Sequence, residues 1–168
     1  MNAPADIRGA NIVVIGCGNA NRSDDGVGPH VISLLRDPPL PAEVRLFDAG
    51  TDGMGVLYRA RGATHLVIVD ARIPEGSPGA IHEVPGAVLE NPPAPSLNLH
   101  DFRWDNALYA GRRIYGDDFP AHVSVLLIEA ESLELGLSLS PPVEAAARSV
   151  AARIREMAGE WLSGEAAR

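Results

Sequence analysis

The chain has 168 residues, of which 46% are hydrophobic and 21% charged, values ordinary for a globular protein, so we predict a single domain over residues 1–168. Its formal net charge is −8, and all 14 basic residues are arginines scattered along the sequence, which argues against nucleic acid as a partner. A single cysteine excludes an intramolecular disulfide, and the absence of a signal-peptide pattern or a long apolar run predicts a cytoplasmic protein with no membrane partner.

Five apolar runs predict five β-strands. In chain order they are NIVVIG (11–16), EVRLFDA (43–49), HLVIVDA (65–71), AIHEV (80–84) and HVSVLLIEA (122–130). The first, third and last are almost continuously apolar and rich in β-branched residues, which is typical of strands buried on both faces. The fourth alternates apolar and polar residues, so we predict that it is an edge strand.

Four helices are predicted between and after these runs, from apolar residues at helical spacing. The stripes are Val27, Val31, Leu34 and Leu35; Met54, Leu57 and Tyr58; the apolar positions of 99–114; and Val143, Ala147, Val150, Ile154, Met157 and Trp161. Ser140 is expected to cap the last helix, with Pro141 and Pro142 in its first turn. The proline-rich stretch 85–98 is predicted to be a surface loop, and loops of this length are often functional.

The alternation of strands and helices predicts the fold class. Parallel strands joined by helical crossovers give an α/β protein with helices on both faces of the sheet. We therefore predict a three-layer α/β/α fold, phosphorylase/hydrolase-like, around a mostly parallel, twisted, five-stranded sheet.

Acidic residues follow the predicted strands and indicate where a site would lie. They are Asp24 and Asp25, Asp48, Asp70, Glu129 and Glu131. Ligands of open α/β sheets bind beyond the carboxyl ends of the strands, so these side chains are expected near the binding edge. Carboxylates that converge raise one another's pKa unless a cation or a proton lies among them. The pattern therefore favours a cation site.

The stretch GCGNANRSDDGVGPH (16–30) also allows a nucleotide-binding interpretation, because it contains G-x-G after a strand. However, Asn21 occupies the position of the third glycine of G-x-G-x-x-G, and two carboxylates follow where a pyrophosphate needs bare backbone N–H groups. A nucleotide-binding regulatory domain is therefore the less favoured alternative.

A metal site would need a nitrogen ligand beside the acids. Asp25 and Asp70 with one histidine would give the hard oxygen and imidazole ligands that divalent transition metals accept. Of the five histidines, four lie in predicted helices or strands: His30, His65, His82 and His122. His100 follows the proline-rich loop, from which a side chain could reach the carboxyl edge. Spacing alone leaves a structural role open for each of these residues.

Five segments in order carry a family resemblance. They are G-x-G-N-x-x-x-x-D-D-G-x-G after the first strand, DAGTDGMGVL (48–57), HLVIVDA (65–71), LNLHDF (97–102) and IEAESLELGLSLSP (128–141). Together they resemble the motifs of the [NiFe]-hydrogenase maturation endopeptidases and span nearly the whole chain. The resemblance implies an endopeptidase that removes the C-terminal peptide of a hydrogenase large-subunit precursor after nickel insertion.

The resemblance also implies the site residues. By motif, the family's metal-contacting residues fall on Asp25, Asp70 and His100, which are then both the catalytic and the metal-binding residues. Asp25 stands where the family often has Glu. Nickel would be supplied by the precursor, no tightly bound cofactor is expected, and hydrolysis would be aspartic-type or metal-assisted. A non-catalytic nickel-sensing assembly chaperone on the same fold is the alternative.

Further residues near the predicted site receive individual interpretations. No G-x-S-x-G motif is present, and Cys17 is interpreted as a small buried residue because no histidine partner can be assigned to it. Asp24 could cap the first helix or contribute to the cleft, and we expect the cap. The Asp48–Gly55 loop is predicted either to shape a substrate groove or only to lead into the second helix. Of Phe102 and Trp104, we predict that Trp104 is exposed for substrate.

Overall fold

A five-stranded sheet forms the centre of the protein in the computed structural model, which describes residues 9–86 and 103–164. Its strands are β1 (Ile12–Cys17), β2 (Val44–Gly50), β3 (His65–Arg72), β4 (Ile81–Pro85) and β5 (His122–Glu129). The strand order is β2-β1-β3-β5-β4. All neighbouring pairs are parallel except β4 with β5. The predicted α/β class and mostly parallel sheet are confirmed, and AIHEV is an edge strand.

The described residues form four α-helices, α1 (Val27–Leu35), α2 (Gly53–Ala60), α3 (Trp104–Tyr115) and α4 (Pro141–Ser163). Helices α1 and α4 pack on one face of the sheet, and α2 and α3 pack on the other. None of these helices has the length and apolarity that a bilayer crossing requires. The first residues of the predicted third helix, 99–102, and most of the predicted loop 85–98 lie outside the described residues.

The central strands are apolar throughout because both of their faces are covered. In β1, Ile12 and Val14 belong to the core under α1 and α4, whereas Val13 and Ile15 belong to the core under α2 and α3. All four side chains are fully buried. Successive strand residues point to opposite faces, so a sheet between two helical layers needs apolar residues at every position.

The buried face of α2 differs from its prediction. Val56, Leu57 and Ala60 pack against the sheet, whereas Met54 and Tyr58 are 41% and 65% exposed. The predicted stripe of Met54, Leu57 and Tyr58 is therefore correct only for Leu57. The prediction rested on the large apolar side chains of this segment. In the structure, the smaller Val56 and Ala60 pack against the sheet beside Leu57.

Asp24 does not cap the first helix, contrary to the prediction. Helix α1 has Gly26 at its N-cap, and the Asp24 carboxylate is buried. Its Oδ2 accepts hydrogen bonds from the Glu131 amide (2.8 Å), the Ser132 amide (3.3 Å) and the Ser140 hydroxyl (2.9 Å), and its Oδ1 accepts one from the Ser140 amide (2.7 Å). Ser140 is the N-cap residue of α4, but its hydroxyl is used here instead of capping the helix. Asp24 thus anchors the segment before α4.

A pair of stacked histidines predicts a pH-dependent stability. The His65 and His122 rings stack at 4.6 Å, and burial, reinforced by the charge of His122, lowers the pKa of His65 to about 4. An unfolded histidine has a pKa near 6.5, so the unfolded chain binds a proton at this position before the folded chain does. The free energy of unfolding is therefore highest above pH ~6.5 and decreases as the pH falls toward 4. Because the ring is partly exposed, solvent screening limits the effect to about 1 kcal/mol.

Urea denaturation between pH 7.5 and 4.5 measures this effect. His65→Phe is expected to flatten the pH dependence relative to the unmodified chain, and His82→Gln serves as the matched histidine control. Parallel pH profiles for His65→Phe and the unmodified chain would contradict the prediction.

Candidate functional site

A cleft of about 230 Å³ opens beyond the carboxyl ends of β1, β2 and β3. Its described lining comes from strand ends (Cys17, Gly50, Asp70), the turn after β1 (Gly18, Asp25), the entry into α2 (Thr51, Asp52, Gly53, Val56), and the start of α3 (Arg103, Trp104). The cleft lies at the edge where open α/β sheets bind ligands. It brings Asp25 and Asp70 to one surface, and residues of the Asp48–Gly55 loop form one of its walls.

Asp70 is the most enclosed acid of the cleft. It lies within β3 near its carboxyl end, with 4% of the residue exposed. Its Oδ2 accepts a hydrogen bond from the Trp104 indole Nε1 at 2.7 Å and a longer one from an Arg103 guanidinium nitrogen at 3.3 Å. Its Oδ1 accepts one from the Ala71 amide at 2.8 Å.

Burial is the main reason that the pKa of Asp70 rises to about 6. The hydrogen bonds from Trp104 and Ala71 and the charge of Arg103 oppose this rise in pKa, whereas the nearby Asp25 carboxylate adds to it. A carboxylate with this pKa is more basic than an ordinary aspartate. Perturbed acids in clefts are typical of functional sites.

Asp25 is held by the glycine-containing turn that follows β1. It lies in a short 3-10 turn, Ser23–Gly26, and its Oδ2 accepts a hydrogen bond from the Asn19 amide at 2.9 Å. Gly18 has φ +130, and a Cβ at that position would clash with the backbone carbonyl oxygen of Asp25. Glycine is therefore required for the turn to close around Asp25. The turn presents a carboxylate to the cleft, which is unfavourable for a phosphate.

Cys17 lines the cleft but has the properties of a buried structural residue, in agreement with its interpretation. Only 6% of it is exposed, and burial, followed by the charge of Asp70, raises the pKa of its thiol far above the usual range. Because the thiolate is the nucleophilic form, a thiol with so high a pKa is unreactive near neutral pH.

The other acids near the strand ends are either bonded to nearby backbone amides or exposed. The Asp52 side chain caps α2 through the Gly55 amide, and Asp48 accepts a hydrogen bond from the Gly50 amide. Glu129 is buried, and the Glu75 and Ser77 amides each donate to its Oε1 at 2.7 Å, which lowers its pKa. Glu131 is exposed. The sequence suggested that all the strand-end acids meet at one site. In the structure, Asp48, Glu129 and Glu131 are not among the lining residues of the cleft.

Trp104 is not exposed, contrary to the prediction. It is the first residue of α3, only 9% of it is exposed, and its indole N–H donates to Asp70. Sequence reasoning also missed Arg103. The available signal was their chemistry, since an indole N–H and a guanidinium beside a strand-end acid are donors that a buried carboxylate requires.

The described residues do not form a complete metal site. Within 9–86 and 103–164, no three His, Cys, Asp or Glu side chains gather so that they could hold an ion. Asp25 and Asp70 supply two carboxylates, and His100 lies outside the described residues. The assignment of these three residues as a catalytic and metal-contacting set stays a prediction.

Comparisons with known proteins agree on one family. Residues 29–157 match the family model HycI, described as hydrogenase maturation protease. The chain is 32% identical over 166 residues to the Hydrogenase 2 maturation protease of Escherichia coli K12. This alignment covers 92% of this chain and 97% of that protein. It is 28% identical over 148 residues to the coenzyme F420 hydrogenase subunit delta of Methanothermobacter thermautotrophicus, covering 82% of this chain and 87% of that protein.

Solved structures extend the similarity to the fold. The hydrogenase maturating endopeptidase HybD from E. coli superposes with a TM-score of 0.67 at 27% identity, over 88% of this chain and 93% of that one. The maturation protease HybD from Thermococcus kodakarensis gives a TM-score of 0.72 at 21% identity, over 88% and 99% of the two chains. The second comparison concerns the fold alone.

Proposed function

The chain belongs to the hydrogenase maturation protease family, and from this premise we propose that it is an endopeptidase that removes the C-terminal peptide of a [NiFe]-hydrogenase large-subunit precursor after nickel insertion. One observation carries the proposal. Asp25 and Asp70, which lie in different motifs of the family resemblance, line the same cleft at the carboxyl edge of the sheet. The described lining of the cleft contains acids suited to a cation.

Recognition depends on nickel that the precursor carries. Carboxylate oxygens and an imidazole nitrogen are ligands that a divalent transition metal accepts from a protein. Asp25 and Asp70 contact the nickel of the bound precursor, and His100 is proposed as the third contact from the LNLHDF motif. The metal arrives with the substrate, so a precursor without nickel lacks the feature that the cleft recognises. Proteolysis then reports that nickel insertion is complete.

The proposed chemistry is hydrolysis of one peptide bond. Substrate-bound nickel acts as a Lewis acid that positions and polarises the scissile amide. Water adds a hydroxyl group to the carbonyl carbon and a proton to the amide nitrogen, so the C–N bond breaks. The precursor is left with a new C-terminal carboxylate, and the released peptide carries a free amine.

Intact-mass spectrometry of precursor incubated with the protein tests this proposal. Nickel-loaded large-subunit precursor is expected to lose the mass of its C-terminal peptide, while the same precursor prepared without nickel keeps its mass. Stable binding of the loaded precursor without any mass change would instead support the non-catalytic, nickel-sensing chaperone. Equal cleavage of both forms would contradict recognition through nickel.

A further inference from the structure

Two donors of unlike character share one oxygen of Asp70. The indole of Trp104 is neutral, buried and close, at 2.7 Å from Oδ2. The guanidinium of Arg103 is charged and more distant, at 3.3 Å from the same oxygen. The Arg103 side chain is 64% exposed, compared with 6% for the side chain of Asp70.

These differences predict different responses to an incoming cation. A short hydrogen bond from a neutral, buried donor does not oppose a positive charge and is protected from water. A long contact from an exposed guanidinium is weakened by solvent and repels a cation that approaches the same carboxylate. The Trp104 contact is therefore compatible with an occupied cleft, and the Arg103 contact competes with occupation.

The charges of the cleft lead to the same conclusion. Three carboxylates belong to its described lining, Asp25, Asp52 and Asp70, and Arg103 is the single cation among those lining residues. The Asp52 carboxylate caps α2. Asp70 contacts Arg103 directly at 3.3 Å, and Asp25 shares the cleft lining with both. Carboxylates that lie close together are stabilised by a positive charge between or beside them. Arg103 supplies that charge in the absence of substrate.

We propose that Arg103 is a displaceable counter-ion that holds Asp70 until a substrate-bound cation replaces it, whereas Trp104 is a positioning residue that keeps its hydrogen bond to Asp70 throughout. The inference rests on the proposed function, since it takes Asp70 as a contact for the nickel of the precursor. The exchange would also let the cleft distinguish precursor-bound nickel from free metal ions. Free metal must displace Arg103 without help, whereas nickel presented on the precursor is held in place by the bound precursor chain.

Titration of the untagged protein with Ni²⁺ alone, by isothermal calorimetry, tests the role of Arg103. Arg103→Gln removes a positive charge beside the site and is expected to tighten Ni²⁺ binding about tenfold, or to make binding measurable where the unmodified chain shows none. Arg36→Gln is the matched control for net charge, because Arg36 is exposed at the far end of α1. Unchanged or weaker binding by Arg103→Gln would overturn the proposal.

The role of Trp104 is tested in the same titration, with the opposite sign. Adding Trp104→Phe to the Arg103→Gln background removes the donor that orients Asp70 and is expected to weaken Ni²⁺ binding about fivefold. A merely structural role of both residues would make both substitutions weaken binding. Equal affinity with and without the Trp104 indole would refute its positioning role.

Fluorescence gives a second measurement that needs neither metal nor activity. In a Trp161→Phe background, Trp104 is the remaining tryptophan, and Asp70→Asn is expected to shift its emission because the indole loses its anionic partner. An unaltered spectrum would count against the contact. Cleavage of nickel-loaded precursor by the unmodified chain is assayed separately, so failure of the proposed function and failure of this inference are distinguishable.

Discussion

Asp70→Asn is expected to slow cleavage of nickel-loaded precursor by about a thousandfold, which corresponds to ~4 kcal/mol of lost transition-state stabilisation. The amide has nearly the shape of the carboxylate but carries no charge, so it is a poor partner for nickel. It can still accept a hydrogen bond from Trp104, which now contacts Oδ2. Initial rates from intact-mass spectra of the precursor measure the effect.

The stability of this variant separates chemistry from folding. Burial raises the pKa of Asp70, which means that the protein holds the ionised side chain at a cost in free energy. Asp70→Asn relieves this cost but loses the acceptor for the Ala71 amide, so it is expected to melt at about the same temperature as the unmodified chain. Asp117→Asn, at an exposed acid outside the cleft, is the control and should retain full activity. Unaltered processing by Asp70→Asn and by Asp25→Asn would remove both residues from the site.

Asp24→Ala is expected to lower the free energy of unfolding by about 4 kcal/mol, the largest stability change that we predict. The substitution removes the acceptor of four hydrogen bonds, three of them from backbone amides. Hydrogen bonds to a charged group contribute about 1.5–3 kcal/mol each, and donors left unsatisfied in a buried place add a desolvation penalty. Urea denaturation followed by circular dichroism measures the change.

Two further variants give this stability prediction its controls. Asp24→Asn keeps the shape of the side chain but not its charge, and should be destabilised by about half as much. Asp117→Ala removes an exposed carboxylate and should stay within about 0.5 kcal/mol of the unmodified chain. A loss below about 1 kcal/mol for Asp24→Ala would show that the anchored segment is held by other contacts.

The sheet and its order of elements were predictable because their signals are local. Each strand begins and ends within one residue of the predicted run. The central strands β1, β3 and β5 are covered on both faces and require nearly continuous apolar residues, whereas the edge strand β4 is marked by alternation. The start of α4 was equally clear, because Pro141 fits the first helical turn and excludes an earlier helix. The carboxyl edge could be located by the same means, and with it the approximate position of Asp25 and Asp70.

The contacts within the site were not predictable because their partners are distant in the chain. Trp104 lies 34 residues from Asp70, and no spacing rule connects a helix start to a strand end. The partners of Asp24 lie 107 to 116 residues away, so its acid pair with Asp25 resembled a local helix cap. Asp25 lines the cleft, whereas Asp24 is buried and bonded to the segment before α4. Only the folded chain distinguishes them.

The anchoring of Asp24 has a consequence for the order in which the protein can mature during synthesis. A ribosome makes Asp24 early, but the Glu131, Ser132 and Ser140 groups that bind it emerge more than a hundred residues later. Until then the turn that carries Asp25 would bury an unpaired charge, which is strongly unfavourable. The turn that carries Asp25 therefore gains this stabilisation only after the segment preceding α4 has been translated.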